Sequence, residues 1–586
     1  MNCVNRVVWL IVGTLVCWGV AAESAQAQAK PHRVNLAFDR YYNYEELTEA
    51  LRTLQKAYPK FLTLRSVGKS YQGRDIWVMI INNPDTGPEM SKAAMYIDGN
   101  IHGNELQGGE VCLYTIWFLM ENYGEIAKVT ELVDRRVFYI LPTVNPDGRA
   151  WWFDQPNTSS SSRSGLKPTD NDNDGLYDED GYDDLDGDGE ILQMRKKVPY
   201  GDYRVSSQDP RLMERVEPGE SGDYIMLGLE GIDNDGDGRI NEDGPGGYDP
   251  NRNWPTDWQP NYIQSGAGDY PLSLPESRAV ADFVLSHPNI AGVQAYHNSG
   301  GMILRGPGAE ERGEFPAGDL RAYDLIGRKG ESILPYYRYL TIWKDLYTVH
   351  GGFVNWTYEG LGIFSFTNEL FSTRQYSPQD QEAEVEAGPR RGSLEGQKRR
   401  LEFNDLIELG QMFVPWHPYQ HPTYGEIEIG GWRKWSSRVN PTFMLEELCH
   451  RNCAFTLYHA EQMPLVEIRE VEKWALGEGL YRVRATLANK RAIPTISQQA
   501  ARHKLQRPDW VTITGKDLRV ISAGFVRDRY LGPIEAVERH PEKVRLTTGI
   551  DGNDEVQIEW VVRGSGKVRI RFEGVKAGVV EQEVTL

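Results

Sequence analysis

The chain has 586 residues, more than one ordinary core supports, so two or three domains are expected. Its formal net charge of -20 argues against nucleic-acid binding, which needs a basic face. An apolar content of 40% is that of a globular protein rather than of a disordered acidic one.

Residues 1–29 read as an export signal. Arg6 supplies the positive end, residues 7–20 form an apolar run, and Ala25-Gln26-Ala27 or Ala27-Gln28-Ala29 offers a small-residue cleavage site. No later segment reaches the ~18 consecutive apolar residues of a membrane span. An exported product, periplasmic or secreted, is expected. Past the leader, Cys112, Cys449 and Cys453 are the only cysteines, and they read as small core residues.

From 41 to 123 helix and strand patterns alternate. Helical spacing covers 44–57, strands 63–68, 76–81 and 95–98, and a long apolar helix 106–123. A strand at 137–141 precedes the turn N-P-D-G-R. Such alternation predicts an α/β layer structure with a mixed sheet whose strand ends carry the site. At the end of strand 95–98 lies D-G-N-I-H-G-N-E-L. His102 and Glu105, three apart on a rigid turn, can point at one divalent ion, with zinc the usual guest. Catalytic zinc takes a third protein ligand, and His297 in Y-H-N-S-G-G is the candidate.

Residues 155–247 change character. Between 170 and 190 stand eleven Asp or Glu and no Lys or Arg. Three loops repeat one pattern: Asp170, Asp172 and Asp174 in the first, Asp184, Asp186 and Asp188 in the second, Asp233, Asp235 and Asp237 in the third. Oxygen ligands at positions one, three and five with Gly at six suit Ca²⁺. The loops depart from the EF-hand at position twelve, which is Gly181, Arg195 and Gly244 in turn. Glu179, Asp180, Glu242 and Asp243 are candidate replacements, and the loops are more similar to those of dockerin or thrombospondin repeats.

Helical patterns follow at 276–286, 403–414 and 444–462, with a charged insertion at 375–400. Beyond Pro464 the period switches to two, which predicts a small antiparallel β-sandwich over 465–586. The expected organisation is a leader at 1–29, a catalytic domain at 30–464 with its insertion at 155–247, and the sandwich.

Taken together, residues 41–462 resemble a zinc carboxypeptidase of the carboxypeptidase A/B superfamily. The resemblance implies one Zn²⁺ on His102, Glu105 and His297, with Asp249 orienting His102. M-R-K-K is similar to the segment carrying the arginine that polarises the scissile carbonyl, which implies Arg195. Y-D-P-N-R-N-W implies that Asn251 and Arg252 hold a substrate's terminal carboxylate. Y-T-V-H-G-G-F-V-N-W resembles the specificity loop, with Tyr347 as its mobile tyrosine. F-T-N-E-L implies Glu369 as general base. Val354 and Asn355 occupy the positions where an acid would select Lys or Arg, which implies a neutral pocket. The implied partner is the C-terminus of a peptide or protein. Calcium on the acidic loops would then order the segments leading to Arg195, Asp249, Asn251 and Arg252. An amidase or peptidoglycan γ-glutamyl peptidase on the same fold is the alternative, and the intact Asn251, Arg252 and Tyr347 weigh against it. A calcium-dependent binding protein without catalysis is a further alternative, against which Glu369 counts.

Overall fold

The computed structural model describes residues 31–171, 173–371, 393–528 and 534–586. The expected leader, Asp172 and most of the charged stretch 375–400 lie outside the described residues. An eight-stranded mixed sheet runs in the order Leu62–Lys69, Asp75–Ile81, Val137–Leu141, Ala94–Gly99, Ile290–Asn298, Phe364–Leu370, Met302–Arg305, Arg338–Thr341. The four strands from Val137–Leu141 to Phe364–Leu370 are parallel. Every residue of Ala94–Gly99, Val137–Leu141 and Ile290–Asn298 is buried, as parallel strands covered on both faces must be.

Helices Tyr44–Ala57, Gln107–Glu121, Ala317–Ile333 and Leu445–Gln462 pack into one core on one face. Pro275–Ser286 and the segment around Phe353 and Trp356 cover the other. Tyr44–Ala57 starts at a reciprocal cap: Asn43 Oδ1 accepts from Glu46 N at 2.8 Å, and Glu46 Oε2 accepts from Asn43 N at 3.0 Å. Gln107–Glu121 is apolar nearly all round because it lies between the sheet and Leu445–Gln462. Cys112, Cys449 and Cys453 are buried in that core as free thiols.

A second sheet, wholly antiparallel, was not legible in the sequence. Its order is Phe413–His421, Gly425–Trp432, Gln193–Gly201, Gly222–Leu229, Tyr203–Val205, Met213–Arg215. It joins the acidic insertion to a segment some 200 residues later. The helix expected over 403–414 is corrected: the helix is Leu394–Leu406, and by Phe413 the chain is a strand. Past Leu406 the chain turns through two left-handed residues, Leu409 at φ 56° and Gly410 at φ 78°, which no helix continues across. Pro415 and Pro418 then fit an edge strand, where no donor is needed on the open side.

Residues beyond 465 form two antiparallel sheets of five and four strands around a core that includes Val483, Leu487, Val511, Ile558, Trp560 and Phe572. They dock on the first domain through buried polar contacts. The carboxylate of Asp319 accepts from the backbone N–H groups of Gln498 and Gln499, 2.9 Å each, and from Tyr358 Oη at 2.8 Å. Ser497 Oγ donates to the Gly362 carbonyl at 3.0 Å.

One buried ion pair sets where Gln107–Glu121 begins. Arg149 and Glu110, both fully buried, are hydrogen-bonded through Nη2 and Oε1. Arg149 also donates Nε to the Tyr42 carbonyl at 2.9 Å and Nη1 to the Leu106 carbonyl at 3.2 Å. Removing one partner of a buried pair strands the other charge, so Arg149→Met is expected to cost about 3–5 kcal/mol. Urea denaturation followed by tryptophan fluorescence checks this. The double variant Arg149→Met/Glu110→Leu should recover part of the loss.

Candidate active site at the strand ends

Parallel strands bring their carboxyl ends to one edge, and the register selects which residues meet there. Glu369 pairs with His297 and Gly99 with Tyr296 on adjacent strands. The turn after Ala94–Gly99 therefore lies beside the ends of Ile290–Asn298 and Phe364–Leu370. That turn is held tightly. A Cβ on Gly99 would lie 2.4 Å from the Gly108 backbone, so only glycine lets the helix start against the strand end. Asn100, at φ 56°, donates Nδ2 to the carbonyls of His102 (2.8 Å) and Gly103 (3.0 Å), while its Oδ1 accepts from Thr143 Oγ1 at 2.9 Å. Asn tolerates this left-handed backbone because its short amide bonds locally.

Three acceptor atoms converge as a result. His102 Nδ1 lies 3.0 Å from Glu105 Oε1 and 3.2 Å from His297 Nδ1, which is 3.0 Å from Glu105 Oε2. All three side chains are buried. His102 Nε2 is bonded to Asp249 Oδ1 at 2.8 Å, which leaves its Nδ1 as a lone pair aimed at the other two. Ligands about 2.0–2.1 Å from a tetrahedral zinc stand roughly 3.3 Å apart. The donor set of two imidazoles and a carboxylate, and its spacing, fit that ion.

Two guanidiniums that the sequence reading did not single out reach this cluster. Arg163 donates Nη1 to Glu105 Oε1 and Nη2 to Asp249 Oδ2, 3.0 Å each. Burial opposes its charge, but Asp249 and Glu105 outweigh burial and hold its pKa above the usual value. Arg438 comes from the segment after Gly425–Trp432 and lies 3.5 Å from Glu105 Oε1, with Nη1 donating to the Asn298 carbonyl at 3.3 Å. Burial pushes Glu105 and Asp249 up, yet the histidines on Glu105, and His102 with Arg163 and Arg252 on Asp249, hold both carboxyls well below their usual range.

Arg195 is not part of this constellation. It sits on Gln193–Gly201 in the second sheet, bonded to Glu428 Oε2 at 2.7 Å and packed on the rings of Tyr224 and Trp416 at 4.7 and 4.2 Å. The motif M-R-K-K is a strand of the insertion whose arginine is held by a cross-strand acid and two rings. Arg163 is the only basic residue between Arg149 and Lys167. That isolation in a serine-rich loop is the one signal the sequence offered for it.

The remaining residues lie around the cluster. Asn251 Nδ2 is 3.3 Å from His297 Nε2, and Asn251 Oδ1 accepts from Phe353 N at 2.9 Å. Arg252 is buried, with Nη1 on the Asn251 carbonyl at 2.8 Å. Gly351, at φ 61°, brings the following segment so close that a Cβ there would lie 2.3 Å from the Arg252 carbonyl oxygen. Val354 and Asn355 are buried, and Asn355 Oδ1 has no hydrogen-bond partner. Tyr347 is 59% exposed. Glu369 is partly exposed, and burial, then the charge of Glu105, push its carboxyl up to about 7. Asp170, Asp174, Asp184, Asp186, Asp188, Asp233, Asp235 and Asp237 occupy the three acidic turns, away from this cluster, and Asp172 lies outside the described residues.

Comparisons with known proteins bear on the same residues. The family model described as zinc carboxypeptidase matches residues 47–186 and 225–387, just over half of the chain. The gap between the two stretches contains Arg195. Residues 465–585 match a domain family of unknown function. Carboxypeptidase D of Rattus norvegicus is 36% identical over 140 residues, 24% of this chain and 10% of its own length. Carboxypeptidase A1 of Sus scrofa is 23% identical over 352 residues, 57% of this chain and 64% of its own. The chain thus spans about a tenth of the length of the first curated relatives. Among solved structures, that of thrombin activatable fibrinolysis inhibitor aligns over 75% of this chain and 78% of its own, at 17% identity and a TM-score of 0.44. The two matched stretches hold His102, Glu105, Arg163, Asp249, His297 and Glu369 between them, and the chain belongs to the zinc carboxypeptidase family.

Proposed function

We propose that this protein is an exported metallocarboxypeptidase that hydrolyses the C-terminal peptide bond of peptides. The observation that carries the reading is the buried triangle of His102, Glu105 and His297 with Asn251 and Glu369 beside it. Zinc held by the three ligands supplies Lewis acidity to the reacting carbonyl and water. Asp249 accepts the His102 Nε2–H and so keeps Nδ1 as the ligand atom. Arg252 offers a planar fork that a terminal carboxylate accepts bidentately, which selects chain ends over internal bonds. Glu369 takes a proton from the attacking water and passes it to the leaving amine. Arg163, in place of Arg195, donates N–H to the scissile carbonyl oxygen as it gains charge.

Val354 and Asn355 support a preference for uncharged terminal side chains, since neither supplies the carboxylate that Lys or Arg would need. The regular aspartates of residues 155–247 support calcium as a second, structural metal. Export rests on the pattern of residues 1–29, and among the described residues no helix is long and apolar enough to cross a membrane.

Release of C-terminal residues from a peptide panel, with metal analysis, tests the whole reading. Chelation should abolish activity and Zn²⁺ should restore it, with Phe or Leu released faster than Lys or Arg; the reverse order would refute the neutral pocket. Glu369→Gln should lower kcat about 10³-fold with zinc retained. Arg163→Ala should cost ~10²–10³ in kcat, whereas Arg195→Ala should change it less than about twofold; equal losses would return the role to Arg195. Activity requires ionised Glu369, so kcat/KM falls as pH drops through its titration. A bound cation favours the carboxylate, so the acid limb should lie between the ordinary 4.5 and the metal-free value of about 7. A profile measured on the zinc enzyme checks the limb, and one still falling above pH 7 would count against Glu369.

A further inference from the structure

The three acidic turns begin alike. In each, the first Asp accepts the backbone N–H groups of the fourth and sixth residues: Asp170 from Asn173 and Gly175 (2.6 and 3.1 Å), Asp184 from Gly187 and Gly189 (2.9 Å each), Asp233 from Gly236 and Gly238 (2.6 and 3.1 Å), and Asp184 also takes Asp188 N at 3.1 Å. The fourth and sixth residues of all three turns have positive φ. They diverge after the sixth position. In the first and third turns the ninth residue is also left-handed, Asp178 at φ 55° and Asn241 at φ 62°. That bend turns the next two carboxylates inward, Glu179 and Asp180 in one, Glu242 and Asp243 in the other. In the middle turn the chain runs straight into Gln193–Gly201, and the matching positions are Gln193 and Met194.

The inward aspartates cross over. Asp180 and Asp243 pair as an antiparallel bridge, with Asp180 N donating to the Asp243 carbonyl at 3.2 Å, and both are fully buried. Asp180 faces the third turn, where Asn234 Nδ2 and Asn241 N donate to it at 2.9 and 3.0 Å. Asp243 faces the first, taking Asn171 N on Oδ1 at 3.1 Å, while its Oδ2 has no donor. Glu179 lies against Asp243, and Glu242 against Asp180. Both glutamates also hold a buried Oε2 without a donor. Like charges in contact, with unpartnered oxygens and no cationic side chain between them, must either share a proton or surround a bound cation, and a cation satisfies the unpartnered oxygens of both pairs at once. The oxygens of Asp174, Glu179 and Asp235, and those of Asp180, Asp235 and Glu242, each lie within 4.8 Å of one another. Oxygens about 2.4 Å from a common Ca²⁺ are separated by at most that distance.

We propose that the first and third turns form one clasp for two Ca²⁺ ions, each closed by an aspartate from the opposite turn, and that the middle turn binds none. Asp243 completes the site of Asp174 and Glu179, Asp180 completes that of Asp237 and Glu242, and Asp235 stands between them. The oxygens of Asp184, Asp186 and Asp188 in the middle turn also lie within 4.8 Å of one another, but that turn lacks the closing acids, and its Asp186 is bonded to His417 Nε2 at 2.8 Å. This rests on the calcium reading above and adds its number, ligands and geometry.

The clasp also ties two stems together. Thr169 Oγ1 donates to the Gly246 carbonyl, Asn171 Nδ2 to that of Gly244 at 3.1 Å, and Lys167 N to Tyr248 Oη at 3.0 Å. Arg163 and Asp249 sit at the bases of those stems.

The test is Ca²⁺ binding to the full-length, zinc-loaded protein after calcium-selective chelation, by titration calorimetry and equilibrium dialysis, with zinc content followed throughout. Two ions per chain are expected. Asp243→Asn and Asp180→Asn should each weaken one ion at least tenfold, and Asp184→Asn should change neither. Glu179→Gln and Glu242→Gln, at less buried positions, should do the same if the aspartate variants do not fold. Three ions, or a site lost in Asp184→Asn, would overturn the cross-closed pair while leaving calcium binding intact. No Ca²⁺ bound at millimolar concentration would overturn both.

Discussion

Three electron pairs pointed at one another are a liability that a protein must build against its own electrostatics. His102, Glu105 and His297 are in that position, buried and about 3 Å apart. Everything around them keeps the arrangement from collapsing. Asp249 fixes the His102 tautomer, Arg163 bridges Glu105 and Asp249, and Asn100 holds the turn from below. The parallel sheet supplies the rigid edge, because its register places the ends of three neighbouring strands together. A site of this kind follows from topology first and side chains second, as ligand sites at strand ends do.

The insertion belongs to this scheme and is more than a surface ornament. Arg163 leads into its first acidic turn and Asp249 follows its last, so the two residues that neutralise Glu105 and orient His102 are 86 positions apart in the chain. Loop closure over such a length is entropically costly. Contacts between residues 164–171 and 243–248, and the second sheet shared with Phe413–Trp432, remove that freedom in the folded chain.

Much of this was readable from residue order. Strands with continuous apolar runs, the glycine-punctuated H-x-x-E turn, and the motifs around Asn251 and Glu369 carry local signals; the turn and Glu369 lie at strand ends, and Asn251 lies in the short turn Pro250–Arg252. Arg195 shows where such reading stops. A four-residue motif cannot report which sheet its strand joins, and Glu428, its partner, is 233 residues away. Arg438 and the second sheet were invisible for the same reason, since long-range pairing leaves no period in the sequence. The helix expected over 403–414 failed because apolar spacing there suits either element, and the prolines at 415 and 418 decide only once an edge is known to exist.

The seam with the C-terminal sheets has a consequence for how the chain is built. Asp319 is fully buried and accepts hydrogen bonds from Gln498 N and Gln499 N across the seam and from Tyr358 in the segment following Val354 and Asn355. Without residues beyond 465 that carboxylate would keep only one of these three donors, in an interior made for all of them. The sandwich therefore acts as an internal buttress for the segment that carries Val354, Asn355 and Tyr358 rather than as a detachable appendage.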